Sequence, residues 1–151
     1  MFRRILLIGC LLAMAVPAFA QTDPVELQRS DLRTDKVAIL TKALAMDEAT
    51  SALFWPIYRE YETELSKIGD ARLANIKDYA ANYEAMTDEK AKELVNKAFS
   101  LSEERTKLVK KYFGKVEKAT STRLAARWAQ SEMALNSIVD AQIATELPLI
   151  K

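Results

Sequence analysis

The 151-residue chain contains no histidine and one cysteine, Cys10. Zinc, copper and nickel sites generally rest on imidazole or thiolate ligands, so a selective transition-metal site is not expected. Three glycines and four prolines leave little turn chemistry for a β fold, and no run alternates apolar and polar residues as a half-buried strand would. There is no D-x-D-x-D-G calcium loop, no G-x-S-x-G elbow and no glycine-rich phosphate loop. No cofactor is therefore expected. Charge of one sign is missing too, with 22 basic against 21 acidic residues. That balance lacks the net basic face a nucleic-acid binder needs.

What is present begins with an export signal. Arg3 and Arg4 precede an apolar run from Ile5 to Val16, and Ala18-Phe19-Ala20 forms an A-x-A cleavage site. The run is short for a membrane span and no stop-transfer segment follows. The expectation is a signal peptide over 1–20, cleaved after Ala20, and a periplasmic protein. The alternative is a lipoprotein signal at Leu7-Ile8-Gly9-Cys10. Few apolar residues precede Cys10 and the run continues past it, which favours cleavage after Ala20. Without Arg3 and Arg4, 20 basic residues face 21 acidic ones, a net charge of −1. The mature chain then has no cysteine and uses no disulfide. Residues 21–33, with Pro24, read as a flexible leader, and 34–151 as one all-helical domain.

Four helices are expected. The first spans about 35–45, with Thr34 as cap and a stripe of Val37, Leu40 and Leu44. The second spans about 47–86, capped by Asp47. Its apolar or seam residues recur at 54, 58, 61, 65, 68, 72, 76, 79 and 83, in steps of four and three that share one face. Pro56 deletes a backbone donor deep in this helix and should kink it. Thr87 caps the third helix, whose stripe is Ala91, Leu94, Ala98, Leu101, Arg105, Leu108, Tyr112 and Val116. The short connection makes the second and third helices an antiparallel hairpin, with Tyr61 near Tyr112 and Ile68 near Arg105. Capping residues Thr120, Ser121 and Thr122 open a fourth helix that Pro148 stops, with Leu124, Trp128, Leu135, Ile138 and Gln142 as its stripe. The fold class is all-α: an elongated antiparallel hairpin with shorter flanking helices. Such a long hairpin suggests a homodimer, although a compact bundle with the first and fourth helices folded back is equally compatible with the pattern.

The last three helices open on Met46-Asp47-Glu48-Ala49-Thr50, Met86-Thr87-Asp88-Glu89-Lys90 and Ala119-Thr120-Ser121-Thr122-Arg123. These resemble weakened copies of the LTxxQ motif of the Spy/CpxP family of periplasmic proteins. Met or Ala stands for Leu, and Thr, Lys or Arg for Gln. Phe54-Trp55-Pro56-Ile57-Tyr58 is similar to the F-W-P-x-Y run of a branch of secreted relatives, and Glu146-Leu147-Pro148-Leu149-Ile150 is similar to their ends. The resemblance implies a hooked helical hairpin that pairs into a curved dimer. It also implies an ATP-independent chaperone, or a stress modulator that binds a sensor kinase.

Two other function classes follow from the residues. Arg72 and Arg105 fall on the apolar stripes, and a buried arginine must be paired; Asp70, Glu64 and Glu104 are within reach in sequence. Secreted all-α chorismate mutases place basic side chains inside a bundle in this way. Without a convergent basic set around a gap, the arginines read instead as register markers in a long seam, and the protein as no enzyme. Aromatic residues interleaved with cations suit weak binding of unfolded chains or of one envelope partner. Trp55, Tyr58, Arg59 and Arg127 are the expected partner-facing residues.

Overall fold

A computed structural model describes residues 35–150. The expected signal peptide, Cys10, the leader and the Thr34 cap lie outside them. The described chain is all-α, with four helices. Helix α1 covers residues 35–44, α2 Glu48–Asn82, α3 Asp88–Ala119 and α4 Thr122–Glu146. Among the described residues no helix is long and apolar enough to cross a membrane.

Each long helix starts on the side chain its sequence supplies. Asp47, Thr87 and Ser121 accept from the backbone N–H three residues on, at Thr50, Lys90 and Leu124. Each bond satisfies one of the four donors a helix start leaves open. Ser121→Ala should therefore cost about 1 kcal/mol, read as a lowered denaturant midpoint with unchanged slope. α2 carries Pro56, whose missing N–H leaves the Ala52 carbonyl without its helical donor, and α2 is bent. A 3-10 turn at Tyr83–Ala85 ends α2 earlier than its stripe suggests. Ala45, which follows α1, takes a φ of 45°, a left-handed conformation that glycine adopts without a Cβ penalty. Ala45→Gly should stabilise the fold by up to about 1 kcal/mol, seen as a raised melting temperature.

Cross-helix contacts set the directions. Glu60 meets Lys115, Glu64 meets Lys111 and Asp78 meets Lys90, so α3 runs antiparallel to α2. Tyr61 meets Trp128, Arg72 meets Asp140 and Tyr79 meets Pro148, so α4 runs parallel to α2 along most of its length. Lys36 reaches Glu132 while Arg127 donates to the Ala43 carbonyl, so α1 runs antiparallel to α4. The hairpin's apolar seam is thus covered within the chain by α4 and, at one end, by α1.

The core sits at that four-helix end. It contains Leu40, Leu44, Phe54, Tyr58, Tyr61, Leu108, Tyr112, Val116, Ala125 and Trp128. Tyr61 is its hub, edge-on to both Tyr112 at 5.5 Å and Trp128 at 5.2 Å between ring centres. The expected stripes of α2 and α3 hold, except that Ala98 of α3 is exposed. The expected stripe of α4 holds only in its first half: Leu124 and Trp128 are buried, but Ile138 is 55% exposed and Gln142 is exposed, and the inward positions after Trp128 include Glu132, Asp140 and Ile143. Val37 of α1 also faces outward. In α4 the polar residues point inward because partners wait for them there, and a hydrophobic pattern cannot register that.

Candidate functional site

Beyond the four-helix end, α2, α3 and α4 line an apolar groove of about 370 Å³. Ile68, Ile76, Leu94, Leu101, Ile143 and Leu147 make its walls. Arg72, Arg105 and Asp140 stand at the inner end. Tyr79 and Ile150 stand at the outer end. The placement follows from the helix stripes: Arg72 and Arg105 occupy seam positions on facing helices, and α4 brings Asp140 between them.

Asp140, which is not among the three expected acids, pairs with both arginines. Arg105 donates to both carboxylate oxygens, at 2.9 and 2.6 Å, and Arg72 donates to Oδ1 at 2.5 Å. Glu64 instead accepts from Lys111 and from the Tyr112 hydroxyl. The Arg105 hydrogen bonds hold the Asp140 carboxyl below the usual carboxylate range; partial burial opposes this and Arg72 adds to it. A carboxylate held ionised this firmly is a poor proton acceptor near neutrality. The three side chains together carry a net charge of +1 in an otherwise uncharged lining. The arrangement suits binding and orientation more than proton transfer.

The chain's own C-terminal segment lies at the outer end. α4 stops at Glu146, ahead of Pro148, and the Tyr79 hydroxyl donates to the Pro148 carbonyl at 2.6 Å. Leu147 and Ile150 join the groove wall, while Leu149 points to solvent. Asn75, in the same wall, donates to the Leu94 carbonyl at 3.1 Å and ties α2 to α3.

A second polar cluster lies inside the core. Glu132 is 0% exposed, and its Oε1 accepts from Lys36 at 2.8 Å and from the Tyr61 hydroxyl at 2.7 Å. Lys36 also donates to Glu62, which accepts from Tyr58. Burial first, and the neighbouring carboxylates second, push both phenols far above the ordinary tyrosine range, so they remain donors. This cluster is largely buried and pins α1 to α2 and α4.

The four expected partner-facing residues do not gather on one surface. Tyr58 is 3% exposed, stacked on Phe54 and bonded to Glu62; it is a core residue. Trp55 is half-buried, edge-on to Phe54 and Tyr58. Arg127 donates to the Ala43 carbonyl at the C-terminal end of α1, a contact that complements the helix dipole. Arg59 is exposed, and its side chain makes no hydrogen bond or ion pair with another helix among the described residues. Sequence reasoning missed Asp140 and Tyr79 as site residues. Their signal was present: seam-type spacing for Tyr79, and an acidic residue three positions before Ile143 in a helix whose apolar stripe fades.

Among the described residues no three His, Cys, Asp or Glu side chains gather as a metal site requires. Compared with protein-family models, with curated proteins and with solved structures, the chain gives no match.

Proposed function

We propose that this protein is a periplasmic, non-enzymatic binding protein: an ATP-independent chaperone or envelope-stress modulator that holds exposed apolar segments of client proteins in the α2–α3–α4 groove. The observation that carries this reading is the C-terminal segment at the groove mouth. It is an extended apolar chain with one backbone carbonyl on the Tyr79 hydroxyl and with Leu147 and Ile150 in the wall. A client segment of the same chemistry would use the same two handles by displacing this segment, with apolar side chains inward and a carbonyl on Tyr79. Exposed Val95 and Phe99 (64% exposed) extend the apolar surface along α3. The export signal and the resemblance to the Spy/CpxP family support the compartment and the class.

The test is light scattering of an unrelated, chemically unfolded protein, with a molar excess of this one and no ATP. Suppressed aggregation is expected. Val95→Glu places a charge on the groove rim at a half-open position, so it should weaken protection several-fold while leaving helicity intact. No suppression at any ratio would replace the chaperone by a module for one dedicated envelope partner, such as a sensor domain. A single stoichiometric partner in a pull-down would then identify it. The proposal includes a homodimer, supported by exposed Met133 and Ile138 on α4. A monomer at all concentrations in sedimentation equilibrium would remove the dimer and leave groove binding standing.

A further inference from the structure

We infer that the groove is a binding site for an aliphatic chain carrying a single carboxylate, the chemistry of a medium-chain fatty acid. The inference rests on the groove being the binding surface, as proposed above, and adds what the inner end selects. Three observations carry it. The groove is polarised, since all the charge in its lining is at Arg72, Arg105 and Asp140, and the remaining wall is apolar apart from Asn75, Tyr79 and Ser102. The charge there is net positive by one. The arginines also retain donors, because each guanidinium has five N–H groups. Asp140 takes one from Arg72 and two from Arg105.

A carboxylate entering beside Asp140 would complete a two-arginine, two-carboxylate cluster of zero net charge, with charge-assisted bonds in a partly dry site. An alcohol forgoes the charge. An alkylammonium meets the arginines as a like charge. A phosphate dianion leaves an uncompensated negative charge next to Asp140. Asp140 thus sets the valence of the anion. The distance from Arg72 to Tyr79 is seven helical residues, about 10 Å along α2, room for a medium-length chain lying against Ile76, Leu94 and Ile143. The volume lies at the small end of ligand-pocket sizes.

The experiment is displacement of a neutral fluorescent probe, N-phenyl-1-naphthylamine, from the full chain. The competitors are decanoate, decanol, decylamine and decyl phosphate, at neutral pH and below their micelle concentrations. Decanoate should displace the probe at a concentration about tenfold lower than decanol does, and decylamine should be weaker still. Arg72→Met should bring decanoate to the level of decanol and leave decanol unchanged. Arg72→Lys, which keeps the charge, should retain part of the preference. Asp140→Asn should move the preference from decanoate towards decyl phosphate. Circular dichroism melting of each variant separates lost selectivity from lost fold. Equal displacement by decanoate and decanol, or a preference that survives Arg72→Met in a folded variant, would overturn the inference. Suppressed aggregation without a carboxylate preference removes this inference alone. A carboxylate preference without suppressed aggregation removes the chaperone reading alone.

Discussion

Lys36→Met is expected to destabilise the fold by about 3–5 kcal/mol, because it strands Glu132. That carboxylate is wholly buried, and its Oε1 shares the Lys36 ammonium with Glu62. Removing one partner of a buried pair leaves the other's desolvation unopposed, whereas removing both charges does not. The double replacement Lys36→Met with Glu132→Gln should therefore recover much of the loss, since the amide still accepts from Tyr61. Urea denaturation of the two single variants and the double variant gives the coupling directly. Additive effects would mean that Lys36 stabilises through its stem alone. The first symptom of Lys36→Met should be release of α1, read as early hydrogen exchange in residues 35–44 ahead of the hairpin.

Trp128→Ala should cost a similar amount, about 3–5 kcal/mol, by a different route. The indole is 0% exposed and joins α4 to α2 through Tyr61. Its loss leaves a cavity at the one place where all four helices meet. The indole N–H has no acceptor among the described residues, so Trp128→Phe gives up packing volume but no hydrogen bond. It should be clearly milder than Trp128→Ala. If the two cost the same, the indole edge is held by a bond that the packing does not reveal. Domain stabilities are typically about 5–15 kcal/mol, so the alanine variant should show broadened thermal unfolding and bind hydrophobic dyes.

The pH dependence follows from the two ion clusters. Burial lowers the Lys36 ammonium, and the charges of Glu132 and Glu62 more than offset it, so the group ends above its ordinary 10.5. Its stabilisation is fully present below that value and is lost as pH rises through the raised one. Asp140 is shifted the other way, below 3.8, chiefly by the Arg105 hydrogen bonds. Its stabilisation is present above 3.8 and is lost as pH falls through the lowered value. These clusters should leave the urea midpoint nearly level across neutrality. The groove end should loosen first in acid, with exchange rising around Asp140 before it rises around Trp128.

The amino-acid sequence by itself determined the helices and their starts. Asp47, Thr87 and Ser121 cap where they stand because a cap bonds a neighbour three residues away, and a local bond is legible locally. The stripes of α2 and α3, and the meeting of Tyr61 with Tyr112, follow from helical spacing and a short connection. The tertiary structure alone decided how α4 sits. Its inward face carries Glu132 and Asp140, whose partners lie 96 residues away at Lys36 and 35 and 68 away at Arg105 and Arg72. Periodicity assigns such polar side chains to solvent, because it scores each residue without its partners. Only the three-dimensional pairing makes burial of those charges tolerable, and that pairing places the cation pair at the inner end of the groove and gave Arg127 to α1.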